Sequence, residues 1–97
     1  MRYLVVDGML SGTGIRDKYD GGYLNPTDIG LSANLCSCIS TWMSQYEEVH
    51  YSGFADKGKV KQLDAEELRI ARNIQTELPG SKVQYFSHAY MKYVMHL

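Results

Sequence analysis

The residues best suited to chemistry lie near the start of the chain. There VVDGMLSGTGIRDKYDGG, residues 5–22, sets Asp7, Ser11, Thr13 and Arg16 among five glycines. Glycines that follow a strand let backbone amides close on a phosphate. A magnesium-dependent phosphate loop also needs Lys and then Ser or Thr after its last glycine. Here Gly14 is followed by Ile15, Arg16 and Asp17, so both positions fail. The dinucleotide pattern fails as well, because Asp17 stands where the third glycine would allow close helix packing. An aspartate ending a strand suits phosphoryl transfer only with a second carboxylate two residues on, and that position is Met9. Asp7 is therefore expected to accept hydrogen bonds from loop amides.

The other reactive side chains form no constellation. His50, His88 and His96 share no helical spacing, which argues against zinc. Cys36 and Cys38 are two apart in a helical pattern, so they point to different sides and can neither bridge nor chelate one ion. A small buried side chain is the expected role of Cys38 or Cys36. No cofactor and no metal is expected.

Tyrosines beside carboxylates are a different signal. Asp17, Tyr19, Asp20 and Tyr23 share the glycine-rich segment, and Glu47, Glu48, Tyr51 and Asp56 surround the end of a helical pattern. A tyrosine ring buries area at little entropic cost and an acid steers a basic partner, so these eight residues are the candidate partner-binding set. The plain alternative is a solvated loop with scattered aromatics.

The elements that must position them follow from periodicity. Residues 2–7, RYLVVD, suit a strand covered on both faces. Residues 8–30 hold six of the nine glycines and read as one long loop. Leu31, Leu35, Ile39, Trp42, Tyr46 and Val49 recur at three and four and predict an amphipathic helix, capped by Ser32 or Thr27 and ending before Gly53. Residues 52–61 read as a connection. Asp64 with Glu67 fits a reciprocal cap for a second helix, with Ile70, Ala71, Ile74 and Leu78 as its stripe and Pro79-Gly80 as its stop. Residues 82–86, KVQYF, predict another strand, parallel to the first if the two pair. The tail SHAYMKYVMHL fits a strand or a short helix. The expected fold is one α/β domain over residues 1–97: a small sheet with two amphipathic helices packed on it, in the order β-loop-α-α-β.

Ten Lys and Arg against eleven Asp and Glu leave a formal charge of −1, with 44% hydrophobic residues. That balance predicts a folded domain and gives no basic excess to recruit nucleic acid. The apolar run near the N-terminus is too short for a signal peptide or membrane span. With two unbridged cysteines, a reduced, cytoplasmic setting without a membrane partner is expected.

The segments VVDGMLSGTGIRD, GGYLNPTDIGLS, ISTWMSQYEEVHYSGF, ELRIARNIQTELPG and KVQYFSHAYM resemble, over almost the full length, small cytoplasmic immunity proteins of bacterial polymorphic toxin loci, including contact-dependent growth inhibition systems. The resemblance implies a non-enzymatic domain that binds a cognate toxin C-terminal domain and blocks it. If that toxin is a nuclease, its basic groove would meet carboxylates and aromatics. Two alternatives stand beside this: a small nucleotide-binding or phosphoryl-hydrolysing enzyme using Asp7, Ser11, Thr13 and Arg16, and a subunit that self-associates through its aromatics.

Overall fold

A computed structural model describes residues 2–8, 12–19, 21–87 and 92–96, with the backbone alone for residues 87 and 92–96. The chain builds a two-layer α/β domain. Strand β1 is Tyr3–Val6, β2 Ile15–Asp17, helix α1 Ala33–Tyr51, α2 Lys57–Glu77, β3 Lys82–Ser87 and β4 Lys92–His96. The sheet runs β2-β1-β3-β4, with β1 and β3 parallel and the outer pairs antiparallel. Two helices separate β1 from β3, and a crossover of that length permits parallel pairing.

Leu4, Val6, Ile15 and Val83 point from the sheet into a core completed by Leu35, Ile39, Trp42 and Tyr46 of α1 and by Val60, Leu63, Ile70 and Ile74 of α2. The α1 stripe is the one that its spacing predicts. Ser32 is the N-cap: its Oγ accepts from Leu35 N at 3.2 Å. Glu77, at the end of α2, grips the same residue, accepting from Ser32 N and Ser32 Oγ at 2.7 Å each. Trp42 packs in the core and donates its indole N–H to Leu63 O at 3.0 Å, which ties the helices together. α2 ends just before Pro79-Gly80.

Two expectations need correction. The loop over residues 8–30 contains β2, paired antiparallel with β1 from Leu4–Asp17 to Val6–Ile15. Gly14 makes this strand possible: its φ of +93° reverses the chain, and a Cβ there would come 2.9 Å from Ile39. The second helix starts at Lys57, seven residues before Asp64. Its N-cap is Asp56, whose Oδ1 accepts from Gly58 N at 2.9 Å and Lys59 N at 3.2 Å. Asp64 and Glu67 are therefore mid-helix residues, and Glu67 lies on the buried stripe between Leu63 and Ile70. In the tail, whose sequence fits a strand or a short helix, residues 92–96 form strand β4.

Candidate functional site

The residues expected to form one partner-binding patch lie in two regions. Tyr19 follows β2 and packs edge-on against Tyr3 at the start of β1, with ring centroids 5.3 Å apart. At the other end of β1, Gly8 lies so close to Tyr46 that a Cβ would sit 2.5 Å from its ring. The last turns of α1, with Glu47, Glu48 and Tyr51, continue from that end. Asp20 lies outside the described residues.

In the β2 region the polar groups serve the local turn. Asp17 Oδ1 accepts from Tyr19 N at 2.9 Å, and Asp17 O accepts from Gly21 N at 2.9 Å. Tyr23 is half-buried and bridges back to Arg16, covering the outer edge of β2. Thr13 Oγ1 reaches Leu24 O at 2.6 Å and Ile15 O at 3.0 Å, which holds this return in place. Asp17 is thus a turn-former, and Tyr19, 73% exposed, is the member open to a partner.

The helix end is more open. Glu47 and Glu48 stand four and three residues before Tyr51, so the three share one side of α1. All are exposed, Tyr51 by 75%. Asp56 is exposed too, but its Oδ1 is occupied by capping. Glu48 also forms part of the wall of an open groove of about 560 Å³ between the helices, with Trp42 in its floor and Gln45, Lys59 and Gln62 around it. Of the two cysteines, one or other of which is expected to be buried, Cys36 is partly buried, while Cys38 is exposed and lines the same groove. Its position on the outer side of α1, two residues from the inward-facing Cys36 side, accounts for this.

Between these regions lies a pair of carboxylates in unlike surroundings. Among the described residues Asp7 Oδ2 accepts from Arg16 Nε at 3.0 Å, both side chains being mostly buried. Glu67 is fully buried, and neither carboxyl oxygen has a hydrogen-bond partner. Burial, with the charges of Asp64 and Asp7 nearby, pushes its pKa up to about 10, so it is a neutral acid at physiological pH. Burial likewise raises Tyr46, with Asp7 and Glu67 adding to the effect. His50 lies 5.9 Å from the Tyr46 ring, and its Nδ1 is also buried without a partner. Spacing alone places Glu67 on the inward stripe, three, four and seven residues before Ile70, Ala71 and Ile74; its position three residues after Asp64 disguises it as a first-turn cap. Among the described residues no group of three His, Cys, Asp or Glu side chains is arranged to hold a metal.

No protein-family model, curated protein or solved structure matches the chain. No helix among the described residues is long and apolar enough to cross a membrane.

Proposed function

We propose that the chain is a cytoplasmic immunity protein that binds a cognate toxin domain, a nuclease in the simplest case, and neutralises it without catalysis. The observation that carries this reading is Tyr51, three-quarters exposed on the same side of α1 as Glu47 and Glu48. A large ring held on a helix supplies buried area, and the two carboxylates supply attraction to a basic groove. The docking surface assigned here is the end of α1 with the mouth of the interhelical groove. Tyr19, Tyr23 and Asp17 belong to the opposite end of β1 and fall outside it.

The test is co-expression with the toxin domain encoded beside this chain. Wild type restores growth and elutes with the toxin in a 1:1 complex, while Tyr51→Ala combined with Glu47→Lys and Glu48→Lys loses both. Growth arrest that wild type does not relieve sinks the reading.

A second reading, phosphoryl hydrolysis or nucleotide binding at the carboxyl end of β1, draws on one observation: a neutral Glu67 near an ion-paired Asp7, the pattern of an acid and a base tuned apart. Under it, Asp7→Asn abolishes phosphatase activity toward a generic nucleotide panel and leaves the fold intact. If wild type itself has no such activity, this reading is excluded.

A further inference from the structure

The sheet has a face that no described helix covers. Because Leu4, Val6, Ile15 and Val83 enter the core, strand alternation puts Tyr3, Val5, Arg16, Lys82 and Gln84 on the opposite side. Val5 is nonetheless fully buried. Its register partners are Arg16 and Gln84, and Lys18 Nζ reaches over β1 to Gln84 Oε1 at 2.9 Å. The long polar side chains of Arg16 and Gln84 flank Val5, and no described helix packs on this face.

Its charge is the reverse of the helix end. Arg16, Lys18 and Lys82 bring three cations against one described carboxylate, Asp7, which Arg16 already pairs. The net charge of −1 conceals this, since Glu47 and Glu48 stand together at the end of α1, a helix that carries no Lys or Arg. The face also carries a prepared aromatic. Tyr19 is fixed by its edge contact with Tyr3, Lys18 Nζ sits 5.3 Å from the Tyr3 ring centre, and Tyr19 itself stays 73% exposed.

We propose that this sheet face binds a short single-stranded nucleic acid, one base stacking on Tyr19 and the adjoining phosphates meeting Lys18 and Lys82. A planar exposed ring beside Lys18 in the chain, at the margin of a face that also carries Lys82, suits an unstacked base and its backbone. A duplex keeps its bases stacked away from such a ring. An acidic peptide would satisfy the lysines and offer little to Tyr19.

The experiment is fluorescence anisotropy of the full chain with labelled oligo(dT) and oligo(U) of about twelve nucleotides, a span suited to a single small domain. Two lysine contacts predict that affinity falls about 20-fold for a tenfold rise in salt. Tyr19→Ala weakens binding about tenfold, whereas Tyr19→Phe keeps the stacking surface and the affinity. Lys82→Ala weakens binding and flattens the salt dependence, with unchanged thermal melting as the check on folding.

Absence of binding at low salt overturns the proposal, as does affinity that Tyr19→Ala leaves unchanged. Displacement of the oligonucleotide by polyglutamate as readily as by unlabelled oligonucleotide overturns it in favour of an acidic protein partner. Tyr51→Ala leaves oligonucleotide affinity intact, and toxin rescue does not depend on Lys82. The two surfaces therefore fail or stand separately.

Discussion

Tyr19 and Tyr51 are nearly equal in exposure and opposite in company. Tyr19 stands with Lys18 over a face where the polar side chains are joined: Arg16 to Asp7 at 3.0 Å and Lys18 to Gln84 at 2.9 Å. Tyr51 stands with Glu47 and Glu48 above an interior in which Tyr46, His50 and Phe54 pack ring to ring and Glu67 has no hydrogen-bond partner among the described residues. The contrast teaches that similar exposed rings are supported differently. One rests on satisfied polar pairs and the other on aromatic packing beside an uncompensated acid. Stability should therefore respond to pH through the helix side and to loss of an ion pair on the sheet side.

The largest effect is expected at Glu67. Its carboxyl holds its proton up to about pH 10 in the fold, against an ordinary value of 4.5. Below pH 4.5 folded and unfolded states are both protonated and the group costs nothing. As pH rises above that value the unfolded state ionises and the folded state does not, so stability falls by about 1.4 kcal/mol per pH unit. At pH 7 the accumulated cost is about 3 kcal/mol. Glu67→Gln, which cannot ionise, should be more stable than wild type at pH 7, more so at pH 9, and without advantage near pH 4. Urea denaturation across that range measures it. Parallel curves for the two proteins would mean that Glu67 is compensated and that the contrast with the sheet face is false.

Next in size is Arg16→Met. It keeps the aliphatic stem and leaves Asp7 mostly buried without its cation, which should cost about 2 kcal/mol. Arg16→Lys should recover only part of this, since an ammonium does not reproduce the guanidinium geometry. A loss below about 0.5 kcal/mol in the same denaturation assay would reduce the pair to the status of an exposed salt bridge.

Asp56→Ala comes third, at about 1 kcal/mol for the lost cap of α2. This variant also tests whether Asp56 belongs to the docking surface. If it is only a cap, Asp56→Asn keeps both the stability and the binding of the toxin domain, because an amide oxygen accepts the same backbone bonds. If its charge contributes to docking, Asp56→Asn keeps stability and loses affinity.

That residue also shows where the sequence is legible and where it is not. The α1 stripe, Ser32, the stop at Pro79-Gly80 and the parallel pairing of β1 with β3 can all be read from local spacing, because each is local or follows from connection length. The first two turns of α2 are obscured: Gly58 is a weak helix former, and Lys57, Lys59 and Lys61 place positive charge at the wrong end of the helix dipole. Glu67 misleads further, since an acid three residues after Asp64 imitates a first turn while it occupies the core stripe. β2 is too short to show alternation. At the candidate surfaces, Glu47, Glu48 and Tyr51 are legible as neighbours on one helix. The company of Tyr19 is not, because the Lys18–Gln84 bond joins residues 66 positions apart.

The smallest effect should come from the two tyrosines themselves. Tyr51→Ser and Tyr19→Ser each remove a ring that is mostly in water, so each should change stability by less than about 0.5 kcal/mol. Tyr19 gives up one edge contact with Tyr3, and Tyr51 one with His50 at 5.7 Å, so the two losses should be alike. Near-neutral stability for both is what allows their binding effects to be read directly: Tyr51→Ser acting on the toxin domain alone, Tyr19→Ser on oligonucleotide alone. A loss of 2 kcal/mol or so at either position would identify that ring as part of the packing, and the corresponding surface would then have no exposed aromatic to offer.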